Sequence, residues 1–238
     1  MLCVVLKVLV EVSVMKYRIK FTKVGKVRFV GHLDLLKLFQ RAIKRAGIPV
    51  AYSNGFNPHQ LIGFAIPLPL GMASVGEYVD VELKEEVSED IIKEKLNSAM
   101  PDGIDILDVR KYTKDDKSCA AIVEAALYEI YLNDKIDDFS NVISNMLGQE
   151  TLEIERTSKH KTKVVDIKPD IFSIEEIEGK NGNTAFKTVI STGSQKNLKA
   201  ELLVKYIYGY IQKEYEPLKV EYKRLELYRN DNGKFVAL

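Results

Sequence analysis

The stretch Met15-Lys16-Tyr17-Arg18-Ile19-Lys20-Phe21 alternates basic and apolar side chains. That period of two predicts a half-buried strand with Lys16, Arg18 and Lys20 on its outer face. Downstream the period changes. After a turn at Gly25 and the segment Val27-Arg28-Phe29-Val30, apolar residues recur at helical spacing from His32 to Ala46: Leu35 or Leu36, Phe39, Ala42 or Ile43, and Ala46. Gly47 follows as a stop signal, and Asp34 falls in the first turn, where a carboxylate suits the helix dipole. Ile48 to Tyr52 reads as a short strand. Leu61 to Leu68 reads as a buried one, broken by Pro67-Leu68-Pro69-Leu70-Gly71 because proline cannot donate to a ladder. Glu77 to Leu83 alternates again, Ser88 caps a helix running to about Met100 with Ile91, Ile92 and Leu96 inward, and Ile104 to Arg110 is a strand. Strand, helix, strand, strand, helix, strand is the order of a split βαβ, ferredoxin-like unit.

The rest of the chain repeats the plan. Ala125 to Leu132 reads as a strand and Ile136 to Leu147 as a helix; Thr151 to Arg156 and Lys163 to Ile167 form a strand pair around a basic turn. Phe172 to Glu178 and Ala185 to Ser191 are strands joined by the turn Gly179-Lys180-Asn181-Gly182-Asn183. Asn197 to about Tyr215 is a helix and Leu218 to Tyr228 the last strand. The expectation is an α+β protein built as two ferredoxin-like lobes in tandem. Residues 15–112 form the first lobe, 113–124 a linker, and 125–238 a C-terminal α+β lobe. Residues 1–14 are an apolar extension charged only at Lys7 and Glu11; they are short for a membrane span and lack a small-residue cleavage site. They read as an arm added by an upstream start, and no other segment reads as membrane-spanning.

The chain has 238 residues, 46% hydrophobic and 29% charged, which is ordinary for a folded protein. Its net charge of +1 hides an asymmetry. Between Lys16 and Gln60 there are ten basic residues and one acid, Asp34; between Leu61 and Arg110 there are eleven acids and four bases. Either the basic end meets an anionic partner, or acids nearby in the fold balance it. Lys37, Arg41 and Lys44/Arg45 recur at three- and four-residue spacing and form one stripe along the helix. Cys3 and Cys119 are too few for a disulfide scaffold, a structural zinc site or an iron–sulfur cluster, so both thiols are expected to be free, as in a cytoplasmic protein.

The run Tyr52-Ser53-Asn54-Gly55-Phe56-Asn57-Pro58-His59 follows the basic helix. Its Ser, Asn, Gly and Pro content makes it a shaped loop with hydrogen-bonding side chains and an imidazole. His59 could act as a general base, a phosphate contact or a metal ligand, or only as a structural hydrogen bonder. His32 reads as a helix-start residue. Asp34, Glu77 and Asp80 have no metal-ligand spacing, and no metal is expected. Phosphate-cradling, dinucleotide-binding, nucleophile-elbow and zinc-protease motifs do not occur. Tyr17, Phe29, Tyr52 and Phe56 lie among the cations, the pattern with which RNA-binding surfaces stack bases and hold phosphate, although at least one of the four is expected in the core. The basic hairpin Arg156 to Lys163 adds a second patch.

His32-Leu33-Asp34, Arg41-Ala42, Arg45-Ala46-Gly47, the Tyr52–His59 loop, Pro69-Leu70-Gly71 and Gly76-Glu77-Tyr78-x-Asp80-x-Glu82-Leu83 together resemble the radical-SAM-linked protein family, a domain of unknown function. Val165-Asp166-Ile167-Lys168-Pro169 and the strand near Arg224 match more loosely. Gly31 stands where the family is expected to place a capping Ser. The resemblance implies an accessory, substrate-handling module beside a B12-binding radical SAM protein. That partner would carry the iron–sulfur cluster, S-adenosylmethionine and cobalamin, with no cofactor in this chain. No catalytic residue transfers with the resemblance. The ligand or RNA surface expected from the residues comprises Lys37, Arg41, Arg45, Tyr52, Ser53, Gly55, Phe56, Asn57 and His59, with Glu77 and Asp80 closing one side. Two other readings stand beside it: an RNA-modifying or RNA-cleaving enzyme using His59, and a module that only docks protein.

Overall fold

The computed structural model describes residues 14–112, 116–158 and 161–238, so the expected N-terminal arm, Cys3 and part of the expected linker and basic hairpin tip lie outside the described residues. The first half contains β1 (Met15–Lys23), α1 (His32–Arg45), β2 (Ile62–Phe64), β3 (Ala73–Leu83), α2 (Glu89–Ala99) and β4 (Ile106–Tyr112). A short helix, α3 (Cys119–Ile122), leads into β5 (Ala125–Tyr131), α4 (Phe139–Leu147), the hairpin β6 (Glu153–Ser158) and β7 (Lys161–Asp166), β8 (Ile171–Ile177), β9 (Ala185–Ser191), α5 (Ala200–Tyr210), β10 (Glu221–Asp231) and β11 (Lys234–Ala237). The α+β class expected from the sequence holds.

Nine strands form one sheet in the order β4-β1-β3-β10-β5-β9-β8, with β2 added to β3 and β11 to β10; β6 and β7 pair separately. The order repeats. In the first half the fourth strand, β4, flanks β1, and β3 lies between β1 and β2; in the second, β10 flanks β5, and β9 lies between β5 and β8. The two units are not separate bodies on a string. β10 pairs in parallel with β3, at Lys223↔Ala73 and Arg224↔Ser74, and makes the sheet continuous.

Each half has its own apolar core. Tyr17, Ile19 and Phe21 of β1 and Val79, Val81 and Leu83 of β3 face α1 and α2, which supply Leu35, Phe39, Ile43, Ile92 and Leu96. Phe39 is completely buried, with its ring 4.8 Å from that of Phe21 and 5.2 Å from that of Phe64. Truncating such a phenylalanine to alanine costs about 3–5 kcal/mol. The second core packs Phe139, Ile143 and Met146 of α4 and Leu203, Val204 and Ile207 of α5 on Ala126, Ile130, Phe186 and Ile190 of the sheet.

The seam between the halves is polar and buried. Arg224 of β10 is 1% exposed and makes a two-pronged ion pair with Glu77, Nε to Oε1 at 2.8 Å and Nη2 to Oε2 at 2.6 Å. Burial alone would lower the Arg224 pKa, but the charge of Glu77 outweighs it and raises the value, so the guanidinium stays charged. Beside it, Glu226 accepts from the Tyr78 hydroxyl at 2.7 Å and from Lys20 at 2.5 Å. Gly76 makes the crossing feasible. A Cβ there would lie 2.3 Å from the Leu225 carbonyl oxygen.

Several elements differ from the sequence reading, including α3, which falls within the expected linker. Leu61 to Leu68 contributes only the three residues of β2, because Pro67 and Pro69 withdraw donors beside an edge. Ile48 to Tyr52 makes isolated bridges, Val50↔Leu83 and Tyr52↔Gln60, instead of a strand. The closing hairpin partner β11 was not expected; its turn residues Asn232 and Gly233 both have positive φ, the usual signature of a two-residue hairpin.

Candidate functional site

The basic residues of the first half divide into two sets. Those of β1 are paired with carboxylates or buried. Arg18 is 7% exposed and donates to both carboxylate oxygens of Asp80, at 2.8 and 3.1 Å. The segment around α3 lies over this face: Arg18 also donates to the Lys117 carbonyl, and the Cys119 N–H donates to Asp80. Lys20 pairs with Glu226, and Lys16 with Glu82 at 3.7 Å. Lys23 is buried, donates to the Arg28 carbonyl, and has its pKa lowered chiefly by burial. The outer face expected for β1 is therefore partly an internal one, because the following chain covers it.

The cations of α1 face solvent. The helix buries Leu35, Phe39, Ala42 and Ile43 and leaves Lys37, Arg41, Lys44 and Arg45 exposed. Lys37 makes a loose, exposed pair with Asp34 at 3.5 Å, and Arg45 donates to the Ala99 carbonyl at 2.7 Å. Arg41 and Lys44 have no ion-pair partner among the described residues. Lys37, Arg41 and Arg45 line one groove of about 470 Å³ between α1 and Pro101. Gly31 caps the helix without a side chain: its carbonyl accepts from the Leu35 N–H, and no hydroxyl takes part.

The loop after α1 is closed by a clasp. The Ser53 N–H donates to the His59 carbonyl at 2.8 Å, the His59 N–H donates to Ser53 Oγ at 3.1 Å, and Ser53 Oγ meets His59 Nδ1 at 2.8 Å. Between these residues Gly55 adopts φ +123°, a conformation strained for any L side chain. Gln60, just beyond the clasp, reaches the Gln40 carbonyl of α1 and the Tyr52 hydroxyl, each at 3.4 Å. The loop is thereby moored to the backbone of α1 at Gln40. Its apolar surface is unusually open: Phe56 is fully exposed and Tyr52 is 44% exposed, with the Lys84 ammonium 5.5 Å from the Tyr52 ring centre. Asn57 is exposed as well. Lys84 was not singled out in the sequence; its place across from Tyr52 follows from the Val50↔Leu83 bridge, which no local pattern announces.

The structure thus places Lys37, Arg41 and Arg45 along one groove of α1, which none of Tyr52, Ser53, Gly55, Phe56, Asn57 and His59 lines, and ties the loop carrying those six residues to the backbone of the same helix through Gln60. It does not add Glu77 and Asp80. Both carboxylates are buried and committed to Arg224 and Arg18. The signal was available: Glu77 shares the strand face of Val79, Val81 and Leu83, and an acid on an apolar face needs a buried cation. His59 is part of the loop closure through its Nδ1 and its backbone N–H. Its Nδ1 holds Ser53, Ser53 Oγ is already engaged by a backbone N–H, and among the described residues no carboxylate hydrogen-bonds the ring. His32 stands apart at the start of α1, with its ring 5.6 Å from that of Phe64. Of the four aromatics among the cations, Tyr17 is in the core and the Phe29 ring, 59% exposed, lies under Arg28 at 4.7 Å. Among the described residues no group of three or more His, Cys, Asp or Glu side chains is arranged to hold a metal ion, and no helix is long and apolar enough to cross a membrane.

Residues 16–200 match a family described as an uncharacterized protein conserved in bacteria, DUF2344. The chain belongs to that family. The matched residues include the groove, the clasped loop and Glu77, but stop before Arg224. No curated protein matches the sequence. Among solved structures, the chain is similar to one from a crystal structure of a Cbf5-Nop10-Gar1 complex, at 12% identity and a TM-score of 0.46. That alignment covers 90% of this chain and 50% of the other, so this DUF2344 chain spans about half the length of that solved chain.

Proposed function

We propose that the first half of this DUF2344 protein binds RNA through the α1 groove and the clasped loop, as the substrate-handling module of a partner enzyme. One observation carries the reading: Arg41 and Lys44 lack ion-pair partners among the described residues, on a helix to which a loop bearing exposed Phe56 and Tyr52 is moored. Exposed cations alone would be an ordinary solvated face. Cations beside uncovered aromatic rings provide the two terms a flexible strand of RNA uses, phosphate charge and base stacking. The clasp and Gly55 hold the loop in one shape before binding, which lowers the ordering cost of association. The resemblance to the radical-SAM-linked family suggests the partner: a B12-binding radical SAM enzyme that brings cluster, S-adenosylmethionine and cobalamin.

The test is fluorescence anisotropy of labelled RNA across a salt series. Binding that weakens steeply with salt is expected, with log K falling by roughly 0.7–0.9 per log unit of salt for each phosphate contact. The double variant Arg41→Ala, Lys44→Ala should lower both affinity and slope. Undetectable binding at low salt, or a double variant that binds like the parent, overturns the RNA reading. Co-purification with the radical SAM enzyme from nuclease-treated lysate tests the partner separately.

A further inference from the structure

A second cavity, of about 340 Å³, lies in the other half, where the start of β8 and the ends of β9 and β10 meet β11. It is lined by Phe172, Ser191, Gln195, Lys196, Asn230 and Phe235, among others. Along β9, Phe186 and Ile190 point to the helices and belong to the core; Ser191 has the opposite parity and faces the cavity. It is 2% exposed, and its Oγ has no hydrogen-bond partner. A buried hydroxyl without a partner costs stability, so this one is a ready donor and acceptor for a ligand. Asn230 is half committed: its Oδ1 accepts from the Gly233 N–H at 2.7 Å, which fixes the amide plane and leaves its two N–H bonds for a ligand. The rings of Phe172 and Phe235 stand 4.7 Å apart, yet are 47% and 37% exposed. Lys196 is held only loosely, 3.8 Å from Asp170 Oδ1 with its side chain 68% exposed.

We infer that this cavity takes a single nucleobase, with Lys196 reaching the attached phosphate. A nucleobase has both a flat π face for the phenylalanine wall and a hydrogen-bonding edge for Ser191, Gln195 and Asn230. An aliphatic chain would leave the hydroxyl and amides desolvated. Inorganic phosphate would make no use of the rings. The volume lies near the bottom of the range of about 300–1,000 Å³ for small-molecule sites, which suits one base and its sugar but not a stack. The base can come from a free nucleotide or from an unstacked position in RNA, and this site stands independently of the α1 groove.

Calorimetric titration of the full chain with AMP, GMP, CMP and UMP, and with a short single-stranded RNA, separates the sources. At least one mononucleotide, or the oligonucleotide alone if the base is taken only from RNA, should bind and lose about tenfold or more in affinity on Phe172→Ala. Asn230→Ala, an exposed change that spares the core, should alter the ranking among the bases. Arg41→Ala with Lys44→Ala should leave mononucleotide affinity unchanged, which distinguishes this site from the groove. Ligands that bind equally to the parent and to both cavity variants, with native melting profiles, overturn the inference, as does failure of the parent to bind any of them.

Discussion

β1 and α1 are adjacent in the chain and equally basic, yet their cations have opposite fates. Arg18 and Lys20 of β1 are covered by α3 and by β10, and each is given a carboxylate. Arg41 and Lys44 of α1 have nothing packed over them. The lesson concerns what a charge run means. A single sequence shows ten basic residues within 45 positions, but only the fold shows which of them are charges inside the structure and which are available to another molecule.

The most forceful way to break this contrast is to remove a partner on the covered side. Glu77→Gln leaves the buried Arg224 guanidinium without its counter-ion, and Arg18→Ala does the same to Asp80. Each should destabilise by about 3–5 kcal/mol in urea unfolding, because an uncompensated buried charge is costly. Arg41→Ala should stay within about 0.5 kcal/mol of the parent in the same measurement. Equal effects on both sides would erase the distinction.

A smaller effect sharpens the other side. Phe56→Ala and Tyr52→Ala should each weaken RNA binding by about 1–3 kcal/mol per stacked base while leaving the unfolding midpoint in place. Smaller still is the clasp. Ser53→Ala and His59→Ala should each cost about 1 kcal/mol of stability and should weaken binding alike, since each opens the same loop. A catalytic His59 would instead lose turnover in one variant while loop shape, followed by NMR shifts of Gly55, persisted.

The last prediction concerns Cys119, whose backbone is tied to the same Asp80. Burial first, and the Asp80 charge second, push its thiol up to about 12 from an ordinary 9.0. The folded state therefore holds the proton that the unfolded state releases, and stability should decline as pH rises from 9 towards 12, not below it. In a Cys3→Ser background, a thiol reagent at pH 8 should leave Cys119 unmodified until denaturant opens the α3 cover. Rapid modification under native conditions would show that the cover, and with it the burial of Arg18, is lost in solution.

Much of this was legible because it is local. The alternation of Met15 to Phe21 and the helical spacing of Leu35, Phe39 and Ile43 report their own burial, and they place α1 within a residue of its ends. The stripe of Lys37, Arg41 and Lys44 follows from the same periodicity. What sequence reading missed is long-range. The parity of Glu77 with Val79 and Val81 signals a buried acid, but its partner Arg224, 147 residues away, and the Cys119 N–H that meets Asp80 from 39 residues away are not announced by any local pattern. The loop was recognisable as shaped, but its closure by Ser53 and His59 and its mooring through Gln60 depend on side-chain directions that spacing does not encode. The cavity beside Ser191 is assembled from four strand ends and gave no signal in any one of them.

Gly76, pressed against the backbone of Leu225, has a consequence in time as well as in space. A chain made from its N-terminus presents β1, α1, β3 and Glu77 well before β10 exists. Until Arg224 has emerged, the Glu77 carboxylate lacks the guanidinium that grips it and the inner edge of β3 near Ser74 lacks its β10 neighbour. An open edge of that kind is where unrelated strands attach during synthesis. The first half can therefore collapse early around Phe39 but closes its sheet only when the last long strand arrives, so truncations that remove β10 should yield a nascent chain prone to association.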